Sequence, residues 1–239
     1  MSNSLSSVMD ENTRRYYLDA MGIQCWQSID ALPVDDVQLA GAIVSNRVSS
    51  NEAGLTHAAL NDEVQQCDLC SLHKTRKQAL PGRGNVSAEL MFVLLSPTAS
   101  DDKNKALCSG AAHDLFSKML AAIEINIDDV FITSLLKCQV AETHTVSAKE
   151  IRSCNKYLTQ QIQLIQPALI VVLGETTIRC LLQKNVSMDE CREDNKTIMQ
   201  KAGLQLMSTP LFVSFSPAEL LQKPENKRKA WSDLQQLKV

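Results

Sequence analysis

Strand-length apolar runs alternate with segments of helical periodicity through most of this chain, and that alternation constrains the fold most strongly. Four such runs lie between residues 61 and 239, and helical patterns separate them. The runs span 90–95, 130–136, 168–173 and 211–215, and the helical patterns span 111–124, 147–165, 175–184 and 225–237. Strands that alternate with helices form a mainly parallel sheet covered on both faces, so we predict an α/β fold.

Function in such a fold concentrates at one edge of the sheet, because ligands bind outside the carboxyl ends of parallel strands. Ser147 and Glu150 form a capping box that predicts the start of the long helix after the second strand, and Pro167 ends that helix. We therefore expect functional residues in the turns that follow Leu95, Leu136, Gly174 and Phe215.

Four of the eight cysteines are spaced as ligands of one metal site. Cys67 and Cys70 form a Cys-x-x-Cys pair, Cys138 follows the second predicted strand, and Cys154 lies early in the long helix. Four thiolates suit either tetrahedral zinc or an iron–sulfur cluster. Structural zinc commonly uses two close pairs, and the wide gap between Cys138 and Cys154 fits that pattern less well.

The alternative for any of these cysteines is that it is a small buried apolar residue. We favour this alternative for Cys108, Cys180 and Cys191, which belong to no spaced pair. The Cys-x-x-Cys pair favours metal binding, since patterned cysteines in a reducing compartment rarely form a disulfide framework.

Composition and charge limit the partners and the location. The formal charge of −3 argues against bulk attraction to nucleic acid, so we expect weak or no direct DNA binding. We interpret the basic stretches at 73–77 and 223–229 as solvated surface. No apolar run approaches the roughly 20 residues that cross a bilayer, and residues 1–12 lack the pattern of a signal peptide. We expect a cytoplasmic protein without membrane contact.

The chain divides into four regions. Residues 1–12 are polar and acidic, which predicts disorder. Residues 13–27 form a distinct segment rich in Arg, Tyr and Trp, and residues 28–60 have the weak pattern of a linker. Residues 61–239 carry the regular alternation and form the predicted domain.

A series of motifs follows in a fixed order through residues 61–237. They are Cys67-x-x-Cys70, Leu72 to Arg76, Pro81 to Asn85, Leu90 to Val93, Val130 to Thr133, Lys137-Cys138, Glu150-Ile151 with Cys154, Pro167 to Gly174, and Trp231 to Leu234. In order and spacing they resemble the family 4 iron–sulfur uracil-DNA glycosylases. The resemblance implies a three-layer α/β/α fold with that family's central parallel sheet. It also implies a [4Fe-4S] cluster on Cys67, Cys70, Cys138 and Cys154.

The chain departs from this family's pattern at the positions implied to form the active site. Leu95 replaces a polar group that helps position the attacking water, although the turn Pro97 is retained. Cys108 stands where an aromatic ring stacks on flipped uracil, Ser134 where an Asn reads the uracil edge, and Ser216 where a His stabilises the uracil anion. Without these groups, the pocket offers a flipped base little stacking or hydrogen bonding to compensate for the cost of extruding it, and no donor for the departing anion. We therefore predict a degenerate former active site without catalytic residues.

Other polar residues near the predicted turns offer no obvious replacement. Asp101 and Asp102 follow the first turn and could hold a water, but we interpret them as part of a solvated acidic loop. We interpret His113 and His144 as surface residues.

The segment 13–27 carries a second resemblance. It reads Arg-Arg, four residues, an aliphatic-Gly-Ile triplet, two residues and Trp, and it is similar to the N-terminal peptide of the psi subunit of bacterial DNA polymerase III. The resemblance implies binding to the clamp-loader tau/gamma subunits, with the body bound to chi and, through chi, to single-strand binding protein. The partner-binding residues would be Arg14, Arg15, Tyr17, Leu18, Met21, Ile23 and Trp26. The alternative is that these side chains pack onto the domain itself.

Together the two resemblances predict a non-catalytic psi-like subunit of the clamp-loader complex that acts in DNA replication. The leading alternative is a divergent iron–sulfur DNA glycosylase that removes uracil or another damaged base in DNA repair. A third hypothesis is a nucleic-acid-binding module that uses Lys74, Arg76, Lys77 and Arg83.

Overall fold

A computed structural model describes residues 56–141, 143–193 and 209–237. The predictions for residues 1–12, 13–27 and 28–55 lie outside the described residues. Residues 57–60, which the sequence places at the end of the linker, form the first turn of a helix. Its start is fixed by Thr56, whose hydroxyl accepts a hydrogen bond from the Ala59 backbone N–H at 3.2 Å.

A five-stranded sheet forms the centre of the domain, in the order β1-β3-β2-β4-β5. Its strands are β1 Arg83–Gly84, β2 Leu90–Leu94, β3 Phe131–Ser134, β4 Leu169–Leu173 and β5 Leu211–Ser214. The four longer strands are parallel, and the short β1 pairs antiparallel with β3. Met91 of β2 lies opposite Phe131 and Ile170, which fixes the register of the three inner strands. The prediction of a mainly parallel sheet is confirmed.

Eight α-helices connect and cover these strands in the described part of the chain. They are α1 His57–Gln66, α2 Ala99–Asn104, α3 Ala111–Ala121, α4 Ala148–Ile165, α5 Glu175–Leu182, α6 Met188–Glu193, α7 Pro217–Gln222 and α8 Lys227–Gln236, with 3₁₀ turns at Ser71–Lys74 and Pro224–Asn226. Among the described helices, none has the length and apolar character needed to cross a membrane.

Side chains of the inner strands alternate between two apolar cores, one on each face of the sheet. Met91 and Val93 of β2 belong to one core, together with residues of α4 and α5. Phe92 belongs to the other core, where its ring meets the Phe116 ring of α3 edge-on at a centroid distance of 4.9 Å. Since successive side chains of a strand point to opposite faces, this alternation produces the expected three-layer α/β/α architecture.

The long helix α4 begins and ends at the residues that the sequence indicates. The Ser147 hydroxyl accepts a hydrogen bond from the Glu150 N–H, and the Glu150 carboxylate accepts one from the Ser147 N–H. At the other end Gln166 adopts a left-handed conformation with φ of 50°, directly before Pro167. The capping box and the proline therefore fix the position of Cys154, in the second turn of the helix.

The β1–β3 contact depends on Gly84, which has a φ of +114°. A Cβ at this position would lie 2.0 Å from the Val130 carbonyl oxygen. We predict that Gly84→Ala lowers the free energy of unfolding by on the order of 3 kcal/mol, because both the backbone conformation and the close approach exclude a side chain. Denaturant unfolding measures the change. Gly110→Ala is the control: its backbone, with φ of 60° and ψ of −142°, also disfavours a side chain, but a Cβ there would meet only the Ser100 hydroxyl oxygen at 3.2 Å, so the loss should be smaller, about 1 to 2 kcal/mol. Equal stabilities for the two variants would contradict the prediction.

Candidate functional site

The four predicted cysteine ligands lie around one apolar cluster between α1 and α4. Cys67 directly follows α1, Cys70 precedes the first 3₁₀ turn, Cys138 follows β3, and Cys154 lies on α4. All four are free thiols that border the same cluster, in which Leu60, Val64, Leu72, Leu136 and Tyr157 are buried. Cys138 and Cys154 are themselves buried, whereas Cys67 and Cys70 are half-buried. The structure therefore brings together cysteines that the sequence separates by up to 87 positions.

Two sulfur atoms of this group accept hydrogen bonds from nitrogen donors. Arg76 donates from Nη1 to the Cys138 Sγ at 2.9 Å, and its Nη2 donates to the Cys67 carbonyl at 2.6 Å. The Lys137 backbone N–H donates to the Cys154 Sγ at 3.2 Å. Such donors stabilise negative charge on sulfur, which is the state in which a cysteine binds iron or zinc.

Without a metal, burial keeps these sulfurs protonated. Burial raises the pKa of the Cys154 thiol to about 11, although the nearby Lys137 acts to lower it. Burial likewise raises the pKa of Cys138, against the influence of Arg76. Among the described residues, no group of three or more His, Cys, Asp or Glu is arranged to hold a metal ion. The donor set of four thiols in an apolar, N–H-lined setting fits an iron–sulfur cluster, which spans more space than one ion.

Lys137 links the cysteine site to the end of β3 through a buried polar network. Its side chain is 1% exposed, and its Nζ donates to Thr133 Oγ1, the Ser134 carbonyl and Gln161 Oε1, each at 2.7 Å. Burial lowers the pKa of Lys137 to about 7. A sequence pattern gives no sign of this burial, because a lysine is ordinarily exposed.

Glu150 ties the Cys-x-x-Cys loop to α4. The Ser71 hydroxyl, one residue beyond Cys70, donates to Glu150 Oε1 at 2.7 Å, and His144 Nε2 lies 3.1 Å from both carboxylate oxygens. Burial acts to raise the pKa of Glu150, but hydrogen bonds from Ser147, His144 and Ser71 outweigh it and lower the pKa to about 2. His144, interpreted from sequence as a simple surface residue, is thus a partner of a buried carboxylate.

A separate pocket of about 210 Å³ opens at the carboxyl ends of β2 and β4 and beside the start of α7. Three of the five predicted former active-site residues, Leu95, Cys108 and Ser216, line it. Pro97 is buried between Ser96 and Thr98, which also line the pocket. The turns predicted to carry function after β2 and β4 therefore meet in one site.

Ser134, the fifth predicted former active-site residue, does not line this pocket. It is fully buried at the end of β3, and its Oγ has no hydrogen-bond partner among the described residues. Its carbonyl accepts the hydrogen bond from Lys137 Nζ, so Ser134 belongs to the network beside the cysteine site.

The starts of three helices converge on the pocket. Thr98 caps α2, Gly174 precedes α5, and Ser216 caps α7, and all three residues line the pocket wall. Glu219 accepts hydrogen bonds from the backbone N–H groups of both Ser216 and Glu175, so it connects the starts of α5 and α7. Helix starts carry partial positive charge, which favours negative charge in the pocket.

The prediction of a solvated acidic loop at Asp101 and Asp102 is wrong. Both residues lie in α2 and are only 2% and 5% exposed. The Asp101 carboxylate lines the pocket and accepts hydrogen bonds from the Thr98 and Ser109 backbone N–H groups at 2.9 and 2.6 Å. The Thr98-x-x-Asp101 capping box was the sequence signal that could have revealed this short helix.

The pocket wall at Cys108 is held by a residue from β1. Cys108 has a left-handed backbone with φ of 55°, which is uncommon for a residue other than glycine. Arg83 Nη2 donates to the Cys108 carbonyl at 2.9 Å. Burial raises the pKa of the Cys108 thiol to about 11, so it is a neutral group in the pocket.

The fold and the pocket define an α/β protein with a pocket at the carboxyl ends of parallel strands, where ligands of such sheets bind. A family model described as "Uracil DNA glycosylase superfamily" matches residues 81–235. The matched range contains all five strands and the whole pocket. The chain therefore belongs to the uracil-DNA glycosylase superfamily.

Three relatives are named type-4 uracil-DNA glycosylases. The protein of Pyrobaculum aerophilum is 31% identical over 175 residues, which cover 73% of this chain and 89% of the relative. That of Saccharolobus solfataricus is 38% identical over 130 residues, covering 54% of this chain and 60% of the relative. That of Thermotoga maritima is 29% identical over 168 residues, which cover 70% of this chain and 84% of the relative.

These relatives overturn the main functional prediction from sequence. They are named as enzymes, so the prediction of a non-catalytic psi-like subunit is wrong, and the glycosylase alternative is the better supported. The psi resemblance depends on the short segment 13–27, whereas the glycosylase similarity extends over 175 residues. The peptide residues lie outside the described residues, and the partners predicted for them stay predictions.

We predict that Glu150→Gln lowers the free energy of unfolding at pH 7 by about 2 kcal/mol. Because the folded pKa of about 2 lies below the ordinary 4.5, the carboxylate stabilises the fold above about pH 4.5. The stabilisation is lost as the pH falls from about 4.5 toward about 2. The loss of stability should be smaller than the free energy that corresponds to the full pKa shift, because solvent screens the pair with His144, whose side chain is 39% exposed. Urea titrations of wild type and variant across this range measure the difference.

Glu190→Gln is the matched control for this prediction. Glu190 forms the same kind of capping box with Ser187, but on the exposed surface and without a bond to a distant loop. A loss of stability as large as that of Glu150→Gln, or a loss independent of pH, would contradict the role assigned to Glu150.

Proposed function

We propose that this protein is a divergent iron–sulfur DNA glycosylase that releases uracil or another damaged base from DNA. The observation that carries the proposal is the similarity to a type-4 uracil-DNA glycosylase over 89% of that enzyme's length. The pocket at the carboxyl ends of β2 and β4 supports it, because it lies where a ligand of such a sheet is expected.

The pocket suits a single flipped base. Its volume of about 210 Å³ is below the roughly 300–1,000 Å³ of drug-sized sites. Enzymes that act on a base in duplex DNA must first extrude it into such a pocket, at a cost of a few kcal/mol. The apolar walls at Leu94, Leu95 and Leu173 would recover part of that cost by burying the base.

Charges around the pocket match those that develop as a glycosidic bond breaks. The departing base takes up the bonding electrons, and the partial positive charge at the starts of α2, α5 and α7 would stabilise that negative charge. The sugar becomes cationic, and the carboxylates of Asp101 and Glu219 would stabilise it. Asp101 and Glu219 are not among the positions that differ from the family pattern, whereas Ser216, which caps α7, is one of them.

The differing positions bear on which base is released. Cys108 and Ser216 offer the pocket a thiol and a hydroxyl in place of the family's aromatic ring and histidine. Neither group imposes one hydrogen-bonding pattern on a base, because a hydroxyl both donates and accepts a hydrogen bond and a thiol is only a weak donor. We therefore include damaged bases other than uracil in the proposed substrate class.

We also propose that Cys67, Cys70, Cys138 and Cys154 hold a [4Fe-4S] cluster. The four free thiols around one apolar cluster support this, as do the N–H donors at Cys138 and Cys154. A bound cluster would cross-link the Cys-x-x-Cys loop to β3 and α4 through four iron–thiolate bonds. Four reduced cysteines fit a cytoplasmic location, which we propose as well.

We predict that the protein releases a base from oligonucleotides that carry uracil, hypoxanthine, xanthine or an alkylated base. The released base is quantified by mass spectrometry after incubation with single-stranded and duplex substrates. Ala112→Phe should reduce release at least about tenfold, because Ala112 lines the pocket and a phenyl ring would occupy the space of the base. Ala111→Phe, on the exposed neighbouring position of α3, should leave release unchanged.

Two results would contradict the glycosylase. One is the absence of release from every lesion by protein whose iron content is complete. The other is release that Ala112→Phe does not affect, which would move the chemistry away from the pocket.

We predict that Cys154→Ser removes the cluster, because one of four thiolate ligands is lost. Iron and acid-labile sulfide analysis and the visible absorption spectrum measure this loss in protein purified without oxygen. Cys191→Ser is the control, since Cys191 is equally buried but lies in the core on one face of the sheet. Zinc in place of iron, or full iron content in Cys154→Ser, would contradict the cluster assignment.

A further inference from the structure

The charged side chains that line the base pocket are both acidic. In the described part of the pocket wall they are Asp101 and Glu219, and no Lys, Arg or His lines it. Asp101 is only 2% exposed, and Glu219 is half-buried at the start of α7. A cleft lined by charge of one sign attracts ligands of the opposite sign. The pocket therefore favours a base that carries positive charge.

The two carboxylates already bond to N–H groups at the helix starts that converge on the pocket. Asp101 accepts the Thr98 N–H at the start of α2, at 2.9 Å. Glu219 accepts the Ser216 N–H at the start of α7 and the Glu175 N–H at the start of α5, at 3.0 and 3.1 Å. A helix start carries roughly half an elementary charge, less than the full charge of the carboxylate paired with it. The helix starts therefore offer a departing base less positive charge than their number suggests.

Other groups at the pocket wall are neutral or lie outside the pocket. Arg83 donates from Nη2 to the Cys108 carbonyl at 2.9 Å, but it lines a neighbouring groove and not the pocket. The Ser216 hydroxyl, which stands where the family pattern has a histidine, accepts the Glu219 N–H and is uncharged. Among the described residues, no positively charged side chain lines the pocket to meet a base that leaves as an anion.

We propose that the pocket selects N-alkylated purines that carry a positive charge in DNA, such as 7-methylguanine and 3-methyladenine. The inference deepens the proposed glycosylase function and rests on it. The carboxylates of Asp101 and Glu219 would attract the charged ring, and the walls at Leu94, Leu95 and Leu173 would bury the alkyl group.

Release of a cationic base needs no group that stabilises an anion. The C1′–N9 bond breaks, its electron pair moves to the ring and cancels the positive charge, and the base leaves neutral. Water adds its oxygen to C1′ and releases one proton to solvent. Uracil instead leaves as an anion, for which a positioned donor in the pocket contributes much of the stabilisation. A pocket with Ser216 in place of a histidine therefore suits the alkylated purine better than uracil.

The test measures binding before any chemistry, by fluorescence anisotropy on two duplexes. One carries 2′-fluoro-7-methylguanine and the other carries its neutral isostere, 2′-fluoro-7-methyl-7-deazaguanine. The fluorine slows cleavage of the glycosidic bond, and the two bases differ in charge but hardly in shape. At mildly acidic pH, at which the first base is cationic, we expect its duplex to bind at least about tenfold more tightly, equivalent to about 1.4 kcal/mol. Equal affinity for the two duplexes would overturn the inference.

Glu219→Gln and Asp101→Asn test the source of this discrimination. Each removes one negative charge and keeps an oxygen that can accept a hydrogen bond, so each should reduce the ratio of the two affinities at least about threefold. The ratio cancels any general loss of DNA binding, which affects both duplexes. Thermal unfolding identifies a variant that does not fold, and the other variant, which alters a different helix, then decides the test. Discrimination that persists in the folded variants would overturn the role of the carboxylates.

Glu190→Gln is the matched control for Glu219→Gln. Glu190 forms the same capping box with Ser187 that Glu219 forms with Ser216, through the same two backbone bonds. It is exposed and does not line the pocket, so the ratio of affinities should equal that of wild type. A ratio lowered as far as in Glu219→Gln would show a general effect of charge and overturn the inference.

Base release separates failure of this inference from failure of the proposed function. Release of uracil or hypoxanthine by a protein that does not discriminate between the charged and neutral duplexes would overturn the inference and leave the glycosylase standing. Discrimination without release of any base would support the charge preference of the pocket and contradict the glycosylase. Release of 7-methylguanine faster than its spontaneous loss, by a protein that discriminates, supports both.

Discussion

Both sites of this protein depend on the parallel pairing of β2 with β3 and β4. Because these strands run in one direction, the turns that leave them gather at one edge of the sheet. The turns after β2 and β4 form the base pocket, and the chain leaving β3 carries Lys137 and Cys138 to the cysteine site. A sheet with alternating strand directions would send these residues to opposite edges.

Buried polar groups attach the cysteine site to the end of β3 and to α4. The Lys137 ammonium connects the end of β3 to Gln161 of α4, and the Glu150 carboxylate connects α4 to the loop that follows Cys70. Buried charges of this kind are retained only when hydrogen bonds compensate for lost hydration. The cysteine loop is therefore attached to the domain by protein contacts as well as by its thiols. The end of β3 and the cysteine loop are held by the same helix, α4.

The regular elements were predictable from sequence, whereas the short helices were not. Apolar runs of strand length and the Ser147–Glu150 capping box placed the four long strands and α4 to within one or two residues. The helices α2 and α7 have only six residues each, too few for a periodic pattern, so the sequence predicts a loop at Asp101 where the structure has a helix. The prediction of a non-catalytic subunit is wrong because four replaced positions and a short peptide motif indicate less about activity than similarity along the whole domain to a protein named as a glycosylase.

The sequence by itself determined the architecture and the candidate ligands, because hydrophobic periodicity and cysteine spacing are local patterns written along the chain. It could list Leu95, Cys108 and Ser216 as related positions, and the fold then brought them into one pocket. Only the tertiary structure decided that Asp101 is buried, that Ser134 lies outside the pocket and that Lys137 is enclosed. Burial and the partners of a charge depend on residues distant in sequence, so no local pattern encodes them.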